Sequence, residues 1–350
     1  MIRASANFPE ISIAVCSTGQ HRDMFEQAQT SVGLSVDFNL DLMKSDQQLS
    51  TLHAKAVVGI HEILDTNGFD GVIVQGDTTT AFAGALASFH KRLPVIHVEA
   101  GLRTWDMTNP FPEEANRSLI DSIATVCAAP TVKAAENLKK AGVGDSRIHV
   151  TGNTAIDALL FTKSLISDSS DSSNPELRKI FSSPDAPIVT ITGHRRESFG
   201  EDFENICFAI QKLASEHRSY QFVYPVHLNP NVREPAHQIL GGIENVHLLP
   251  PLNYTDFVQL LSNSYLVLTD SGGIQEEAPS LDLPVLVMRK NTERPEGIDA
   301  GCAMLVGVSE SSIVDGVEEL ISDQGLNARM ASAKKPYGDG HAAEKILRLL

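Results

Sequence analysis

The chain has 350 residues, more than one hydrophobic core usually organises, so two domains are expected. Lys and Arg number 28 against 44 Asp and Glu, and the formal charge of -16 disfavours nonspecific binding to nucleic acid or to an anionic membrane. An anionic ligand would therefore need a local basic pocket. The acidity is equally compatible with a role in solubility alone.

The cysteines and the hydropathy pattern indicate the compartment. Four cysteines lie far apart without a CxxC pair, which favours buried thiols over disulfides or zinc ligands: Cys16, Cys127, Cys207 and Cys302. No window approaches the ~18–20 apolar residues of a membrane span. The N-terminus lacks the apolar core of a signal peptide. We therefore expect a cytoplasmic protein with no membrane or nucleic-acid partner.

Short β-branched runs alternate with helical patterns, which is typical of α/β units around parallel sheets. In the first half the predicted strands are Ile11–Val15, Gly71–Val74, Val95–Val98, Thr125–Ala128 and Arg147–Val150. In the second half they are Ile188–Thr192, Gln221–Tyr224, Val246–Leu248, Leu266–Leu268, Val285–Val287 and Ala303–Val306. Before the first of these strands, Met1–Glu10 is predicted to be the tail of a helix, so the usual opening strand and glycine-bearing loop are not found.

A Ser- and Asp-rich stretch, residues 164–187, predicts a linker between two Rossmann-like domains that cover residues 1–163 and 188–335. Two such domains predict a ligand site in a cleft between them. The last segment, 336–350, ends in a short amphipathic helix pattern.

The strongest ligand-binding pattern is DSGGIQEE, which follows a strand and opens a helix. Its glycines, Gly272 and Gly273, permit close approach of the backbone to a ligand. After Ser271 the first-turn N–H groups suit a phosphate, and Glu277 could accept hydrogen bonds from ribose hydroxyls. An ordinary N-capped helix start explains the same pattern equally well.

A second pattern, TGHRRESFG, places His194 and Arg195 at the end of another strand, where α/β ligands bind. Arginine can hold a phosphate through two hydrogen bonds. A basic surface loop paired with acidic neighbours is the alternative. His227 and Arg294 follow two further strands, the first of them being as compatible with a structural turn as with a site. The other histidines show no metal-ligand spacing.

Three carboxylates follow strands or begin a helix in the first half. Asp77 is either a helix cap or a side chain directed at the ligand, and Glu99 lies beside it if their strands are neighbours. Glu113 begins the helix of PEEANR, with Pro112 in its first turn, and an ion pair with Arg117 is the structural alternative. Converging carboxylates repel one another, which suits proton abstraction.

Nine motifs together resemble the non-hydrolysing UDP-N-acetylglucosamine 2-epimerases. In chain order, between Cys16 and Gly340, they are GDTTT, HVEAGLR, PEEANR, TGNTAIDALL, TGHRRESFG, YPVHLNPNVREP, LTDSGGIQEEAPS, PVLVMR and TERPE. The resemblance implies a GT-B-like α/β fold whose final helix returns to the first domain. It also implies a homodimer with no metal or redox cofactor.

The reaction implied by the resemblance is reversible inversion at C2 of UDP-N-acetylglucosamine, which supplies UDP-N-acetylmannosamine for surface polysaccharides. UDP leaves by anti elimination to give 2-acetamidoglucal and adds back after protonation from the other face. By the same resemblance, Asp77, Glu99 and Glu113 are acid/base candidates and His194 supports the leaving diphosphate. The remaining UDP-binding candidates are Arg195, His227, Phe257 (against uracil), Ser271, Gly272, Gly273, Glu277 (at the ribose) and Arg294.

The chain departs from the family pattern in two places. The family's first strand and its Gly-Thr-Arg-Pro-Glu loop, which supplies cations to the UDP phosphates, are not matched before Ile11. We therefore expect this chain by itself to be poorly soluble or weakly active. At the family's substrate-activated allosteric site Gln20 and Glu113 match the pattern, whereas Asp23 and Lys55 depart from it, which puts allosteric activation in doubt.

Three other functions compete with this interpretation. A hydrolysing 2-epimerase would release UDP and free N-acetylmannosamine. A GT-B glycosyltransferase would share the nucleotide-binding second half but would need an acceptor site. A shortened homologue would bind UDP-sugar with little turnover.

Overall fold

The computed structural model describes residues 1–19, 35–42, 47–166, 172, 174–183 and 185–350. The chain divides into two compact units. Unit 1 consists of Met1–Thr154 and Gly340–Leu350, and unit 2 of Ala155–Asp339. Each unit has its own parallel sheet and its own buried apolar clusters, which confirms the predicted α/β fold class with two domains.

Unit 1 is built on a four-stranded parallel sheet with the order β3-β4-β5-β6. Its strands are β3 (Val72–Gln75), β4 (Val95–Val98), β5 (Val126–Ala129) and β6 (Ile148–Val150). The helices that precede and connect these strands are α2 (Leu49–Thr66), α3 (Thr79–His90), α4 (Glu113–Ile123) and α5 (Val132–Lys140). All four residues of β4 are buried, as expected for an inner strand covered on both faces.

The start of the chain differs from the prediction. Ile11–Val15 forms no strand; instead β1 (Cys16–Ser17) pairs in parallel with β2 (Phe38–Asn39) in a separate two-stranded sheet. A β-branched run favours extended backbone, but it becomes a strand only where a neighbouring strand offers a hydrogen-bonding ladder. The helical tail predicted in Met1–Glu10 is a short helix, α1 (Ile2–Ser5).

The C-terminal helix α15 (Ala342–Leu347) belongs to unit 1. Its buried Ile346 packs with Ile96 and Val98 of β4 and with Ala128 of β5. The chain therefore returns from unit 2 to cover one face of the first sheet.

Unit 2 contains a six-stranded parallel sheet with the order β12-β11-β10-β7-β8-β9. Its strands are β7 (Ile188–Thr192), β8 (Gln221–Pro225), β9 (Val246–Leu249), β10 (Leu266–Thr269), β11 (Val285–Val287) and β12 (Ala303–Leu305). Its helices are α6 (Thr154–Leu165), α7 (Pro175–Phe181), α8 (Glu201–Glu216), α9 (Pro230–Leu240), α10 (Tyr254–Ser262), α11 (Gly272–Glu277), α12 (Pro295–Asp299), α13 (Glu310–Ser322) and α14 (Gln324–Ala331).

Numbered within unit 2, this order is 3-2-1-4-5-6, the arrangement of a doubly wound dinucleotide-binding fold. The order reverses between β7 and β10, which are hydrogen-bonded neighbours. Loops diverge to opposite faces at such a point, and ligands bind there. Both predicted ligand loops of the second half, after Thr192 and after Thr269, leave the sheet at this place.

The division between the units lies earlier than the predicted linker, residues 164–187. Helix α6 precedes that stretch but packs in unit 2, because the fully buried Leu159 contacts Val258, Leu261 and Val267. Part of the stretch that composition predicted to be solvated is helix α7, whose Leu177 and Ile180 are buried in an apolar cluster of unit 2. The position of the division is set by which core the preceding helix enters.

Three of the four cysteines, Cys127, Cys207 and Cys302, are buried free thiols, and Cys16 is an exposed one. Burial raises the pKa of the Cys127 and Cys207 thiols to about 12, so they remain protonated. Among the described helices, none combines the length and apolar character that a membrane crossing requires.

Candidate functional site

In unit 1 the structure excludes one of the two alternatives for Asp77, the helix cap. The cap of α3 is Thr78, whose hydroxyl accepts a hydrogen bond from the Ala81 N–H at 3.1 Å. The Asp77 carboxylate instead accepts from Arg117, with Nε at 3.1 Å, and the Asp77 carbonyl accepts from the Asn116 amide at 2.8 Å. Two residues of α4 thus hold Asp77 in a fixed position beyond β3.

Glu99 follows β4, the hydrogen-bonded neighbour of β3, so the predicted adjacency of the two strands is confirmed. Its Oε2 lies 3.6 Å from where a Cβ on Gly76 would be. The backbone of Glu99 has φ +66°, in the left-handed region that glutamate rarely occupies. Such strain concentrates at functional sites, where the surroundings enforce it.

The adjacent glutamates of α4 have different environments. Glu114 is completely buried and accepts hydrogen bonds from the Thr104 and Trp105 N–H groups at 3.0 and 3.1 Å. It also accepts from Arg117 at 3.2 Å. Glu113 is the first residue of the helix and is only partly buried. Arg117 therefore pairs with Asp77 and Glu114, and the helical ion pair with Glu113 considered from the spacing is wrong.

A buried charged cluster lies next to the turn that precedes Asp77. His97 of β4 donates from Nε2 to the Gly76 carbonyl at 2.8 Å, and its Nδ1 lies 2.6 Å from Asp121. The other oxygen of Asp121 accepts from Arg103. His97 and Asp121 are essentially unexposed, so this network fixes the turn that carries Asp77.

In unit 2 the candidate ligand loops leave the sheet at the reversal between β7 and β10. Thr192 and Thr269, register partners at the strand ends, share a hydroxyl hydrogen bond of 2.6 Å. The next residue, Asp270, is completely buried, and its Oδ2 accepts from the backbone N–H groups of His194 and Arg195 at 2.8 and 2.9 Å. This carboxylate ties the two ligand loops together.

Two guanidinium groups lie at the glycine turn. A Cβ on Gly272 would be 3.3 Å from Arg195 Nη2 and 3.8 Å from Arg294 Nη2. Arg294 is held by Glu276, whose carboxylate accepts a hydrogen bond from Arg294 Nε. A Cβ on Gly273 would meet only the Ser271 hydroxyl, at 3.9 Å, so this side of the turn is open. Free first-turn N–H groups and two cations form a favourable place for a diphosphate.

His194 and His227, from the loops after β7 and β8, stack on each other with ring centroids 5.4 Å apart and an angle of 15°. The His194 side chain is 43% exposed and therefore accessible to a ligand. The structure thus brings together two histidines that the sequence placed on separate strands.

The helices α10 and α11 meet at Glu277. Tyr254 of α10 donates to Glu277 Oε1 at 3.4 Å, and Phe257, one turn later, is partly buried against a neighbouring apolar cluster. Burial, and secondly the charge of Glu276, raise the pKa of the Glu277 carboxyl to about 7. A carboxyl that titrates near neutrality is poised to respond to a ligand.

The other predicted site residues have simpler outcomes. Lys55 is exposed on α2, whereas Gln20 and Asp23 lie outside the described residues. Within the part of the chain that the structure describes, no group of three or more His, Cys, Asp or Glu side chains could hold a metal ion. Sequence reasoning did not assign site roles to Asp270, Arg117, Asn116 and Tyr254; for Asp270 the available signal was its position directly after a buried strand.

Comparisons with known proteins show the family to which the chain belongs. The UDP-N-acetylglucosamine 2-epimerase family profile matches residues 3–350. The chain is 47% identical to the UDP-N-acetylglucosamine 2-epimerase of Escherichia coli K12 over 352 aligned positions, covering 100% of this chain and 93% of that protein.

Solved structures show the same fold. The Neisseria meningitidis UDP-GlcNAc 2-epimerase bound to UDP-GlcNAc superposes with a TM-score of 0.87 at 40% identity, covering 97% of this chain and 92% of that one. The Methanocaldococcus jannaschii UDP-GlcNAc 2-epimerase in complex with UDP-GlcNAc and UDP gives 0.76 at 30% identity, covering 99% and 94%. These findings confirm the GT-B-like fold class, and the chain belongs to the UDP-N-acetylglucosamine 2-epimerase family of isomerases.

Proposed function

We propose that this protein epimerises UDP-N-acetylglucosamine and UDP-N-acetylmannosamine at C2 by eliminating and re-adding UDP. The observation that carries the proposal is the pair of carboxylates, Asp77 and Glu99, at the carboxyl ends of neighbouring strands. Removing a proton from C2 and returning one from the other face requires two groups of this kind. Family membership supplies the substrate, which the N. meningitidis and M. jannaschii relatives bind.

In this proposal carboxyl groups of unit 1 remove and deliver protons. Asp77, Glu99 and Glu113 are the acid/base groups, and Arg117 and Asn116 hold Asp77 in place. Elimination breaks the C2–H bond and the bond between C1 and the diphosphate, and the electron pair forms the C1–C2 double bond of 2-acetamidoglucal. UDP then returns to C1 while a proton is delivered to the opposite face of C2.

The ligand loops of unit 2 retain UDP between these two steps. The diphosphate contacts Ser271, Gly272 and Gly273, with Arg195 and Arg294 neutralising its charge. His194, with His227 stacked on it, supports the leaving oxygen, Glu277 binds the ribose and Phe257 lies against uracil. Charge-assisted hydrogen bonds contribute about 1.5–3 kcal/mol each, enough to hold UDP while the glucal remains in the site.

The wider context is part of the proposal. The enzyme acts as a cytoplasmic homodimer and supplies UDP-N-acetylmannosamine for surface polysaccharide. Buried, unpaired thiols such as Cys127 and Cys207 are those of a protein in a reducing compartment.

The reaction is tested by incubating the protein with UDP-N-acetylglucosamine in D₂O and analysing the products by NMR. UDP-N-acetylmannosamine with deuterium at C2 is expected. Stoichiometric UDP and free N-acetylmannosamine would instead show a hydrolysing epimerase, and binding without either product would show a UDP-sugar-binding homologue.

The diphosphate assignment is tested separately at the glycine turn. Gly273→Val should weaken UDP binding by about tenfold or more, because the new side chain occupies the open side of the turn, where protein atoms leave room. Gly68→Val is the matched control, since a Cβ there meets no protein atom within 4 Å and lies outside the proposed site. Unchanged UDP affinity of Gly273→Val in calorimetry would refute the assignment.

A further inference from the structure

Asp270 carries a buried oxygen that the fold leaves unused. Its Oδ2 accepts two backbone hydrogen bonds, but Oδ1 has no hydrogen-bond partner among the described residues and is shielded from solvent. Buried carboxylate oxygens are normally paired, because an unpaired one has lost its hydrogen bonds to water without replacement. An orphaned acceptor of this kind at a ligand loop requires an explanation.

The imidazole of His194 faces that oxygen. His194 Nδ1 lies 3.7 Å from Asp270 Oδ1, which is within ion-pair range but beyond a hydrogen bond. The ring is partly exposed and rests on His227, so it can turn without disturbing the core. Catalytic hydrogen bonds are often long without substrate and shorten when it binds.

We propose that Asp270 is a positioning residue for His194, and that UDP binding closes the contact between Oδ1 and the Nδ1–H group. This inference rests on the proposed function, in which His194 supports the leaving diphosphate. With Nδ1–H bound to the carboxylate, Nε2 is directed to the ligand, and the nearby negative charge stabilises the imidazolium. The doubly protonated ring can then donate from Nε2 to the departing phosphate oxygen.

The two oxygens of Asp270 thus have separate tasks. Oδ2 fixes the backbone of His194 and Arg195, while Oδ1 sets the proton position and orientation of the His194 ring. The same division between holding and orienting occurs where a carboxylate supports a catalytic or metal-bound histidine. Asp270 lies behind the loop and acts through His194 without contacting the substrate.

Asp270→Asn separates these tasks. The amide oxygen can still accept the two backbone hydrogen bonds, but its NH₂ group faces His194 Nδ1 and selects the neutral ring, which carries its only proton on Nε2. This ring can still donate a hydrogen bond, but it is a far weaker acid than the imidazolium, so turnover should fall by about 10²–10⁴-fold, the range for loss of a general acid. UDP affinity and the melting temperature should change little by comparison, since the backbone contacts remain.

A double-mutant cycle with His194→Gln tests whether Asp270 acts through the imidazole. If it does, Asp270→Asn should lower turnover less than about threefold when His194 is already glutamine, since coupled residues are strongly non-additive. Thr190→Val is the matched control for perturbing the buried end of β7, because it removes a hydroxyl bond to Ser264 away from the loops. Equal losses from Asp270→Asn in both backgrounds would overturn the proposal.

A spectroscopic readout keeps the test independent of folding and of turnover. In ¹⁵N-histidine-labelled wild-type protein with UDP, the His194 signal, assigned through His194→Gln, should report a protonated Nδ1. An unprotonated Nδ1 in that complex would refute the role of Asp270 even if the enzyme is active. Failure of the wild-type protein to epimerise would instead count against the proposed function, so the two failures are distinguishable.

Discussion

Two neighbouring glutamates in α11 show how a cationic partner separates chemically identical side chains. Glu276 is paired with Arg294, whereas the hydrogen bond that Glu277 receives among the described residues is a long one from Tyr254. Burial therefore dominates at Glu277 and raises its carboxyl pKa from 4.5 to about 7. The sequence alone shows two adjacent acids and cannot distinguish the partnered one from the one that titrates.

We predict that Glu277 makes folding stability depend on pH. In the unfolded chain the carboxyl loses its proton near its ordinary pKa, whereas in the folded protein it keeps the proton up to about pH 7. The Glu277 carboxyl thus contributes to the free energy of unfolding, by about 3 kcal/mol at most. This contribution is fully present below pH ~4.5 and is lost as the pH rises through 7. Urea unfolding of the wild-type protein and of Glu277→Gln between pH 4.5 and 8 measures this.

As the pH rises, the unfolding free energy of the wild type should fall relative to that of Glu277→Gln, since glutamine does not titrate. Tyr254→Phe is the companion variant, because it removes the hydroxyl bond to Glu277 and leaves the buried carboxyl in place. A constant difference between wild type and Glu277→Gln across this pH range would contradict the prediction.

The acidic pair of α4 gives a second residue-scale prediction. Glu113→Gln, like Asp77→Asn and Glu99→Gln, should slow exchange of the C2 proton with D₂O by about 10²–10⁴-fold. Glu114→Gln should instead lower the melting temperature, because the buried Glu114 carboxylate accepts two backbone N–H groups and Arg117. A Glu113→Gln variant with normal exchange would remove Glu113 from the acid/base set.

At the scale of elements, the buried cluster of His97, Asp121 and Arg103 joins β4, α4 and the loop between them. Removing one partner from a buried ionic network leaves an uncompensated charge and typically costs 3–5 kcal/mol. We therefore expect Asp121→Ala to lower the free energy of unfolding by about that amount, as measured by urea denaturation. The turn that carries Asp77 should loosen with it, because His97 holds the Gly76 carbonyl.

Asp65→Ala is the control for this prediction. Asp65 also pairs with a cation and a histidine, Lys91 and His61, but its side chain is 50% exposed. Surface ion pairs contribute little to stability, so this variant should unfold close to the wild-type midpoint. Similar losses in both variants would mean that burial does not control the contribution of the Asp121 cluster.

Elements were predictable from sequence where periodicity and packing agree. The runs at Val95–Val98, Ile188–Thr192 and Val285–Val287 became strands with the predicted bounds, because buried parallel strands are continuous apolar runs. Ile11–Val15 had the same composition but forms no strand, since pairing depends on a distant neighbour. The packing of α6 in unit 2 was unpredictable for the same reason: it depends on contacts of Leu159 with residues about 100 positions later.

At the scale of the whole molecule, the sequence motifs predicted which loops form the candidate site. They did not predict which of their side chains bond to one another. The loops after β7 and β10 were recognisable separately, whereas their junction through Asp270 follows from the strand order of unit 2. Similarly, the spacing left open an ion pair of Arg117 with Glu113, and only the position of α4 against β3 shows that Arg117 binds Asp77. Motifs specify side chains, and topology specifies which of them meet.

Because the proposed UDP contacts all lie in unit 2, UDP binding should change hydrogen exchange unevenly across the protein. We predict that UDP protects the amides of the segments 193–200 and 270–277 most strongly, since bound phosphate accepts from first-turn N–H groups and orders both loops. The amides of β3 and β4 in unit 1 should change less with UDP alone. Mass-spectrometric hydrogen exchange with and without saturating UDP measures the pattern, with Gly273→Val as the control that should lose it. Protection centred on residues 72–99 would contradict the assignment of UDP to unit 2 and would place the nucleotide with the carboxylates instead.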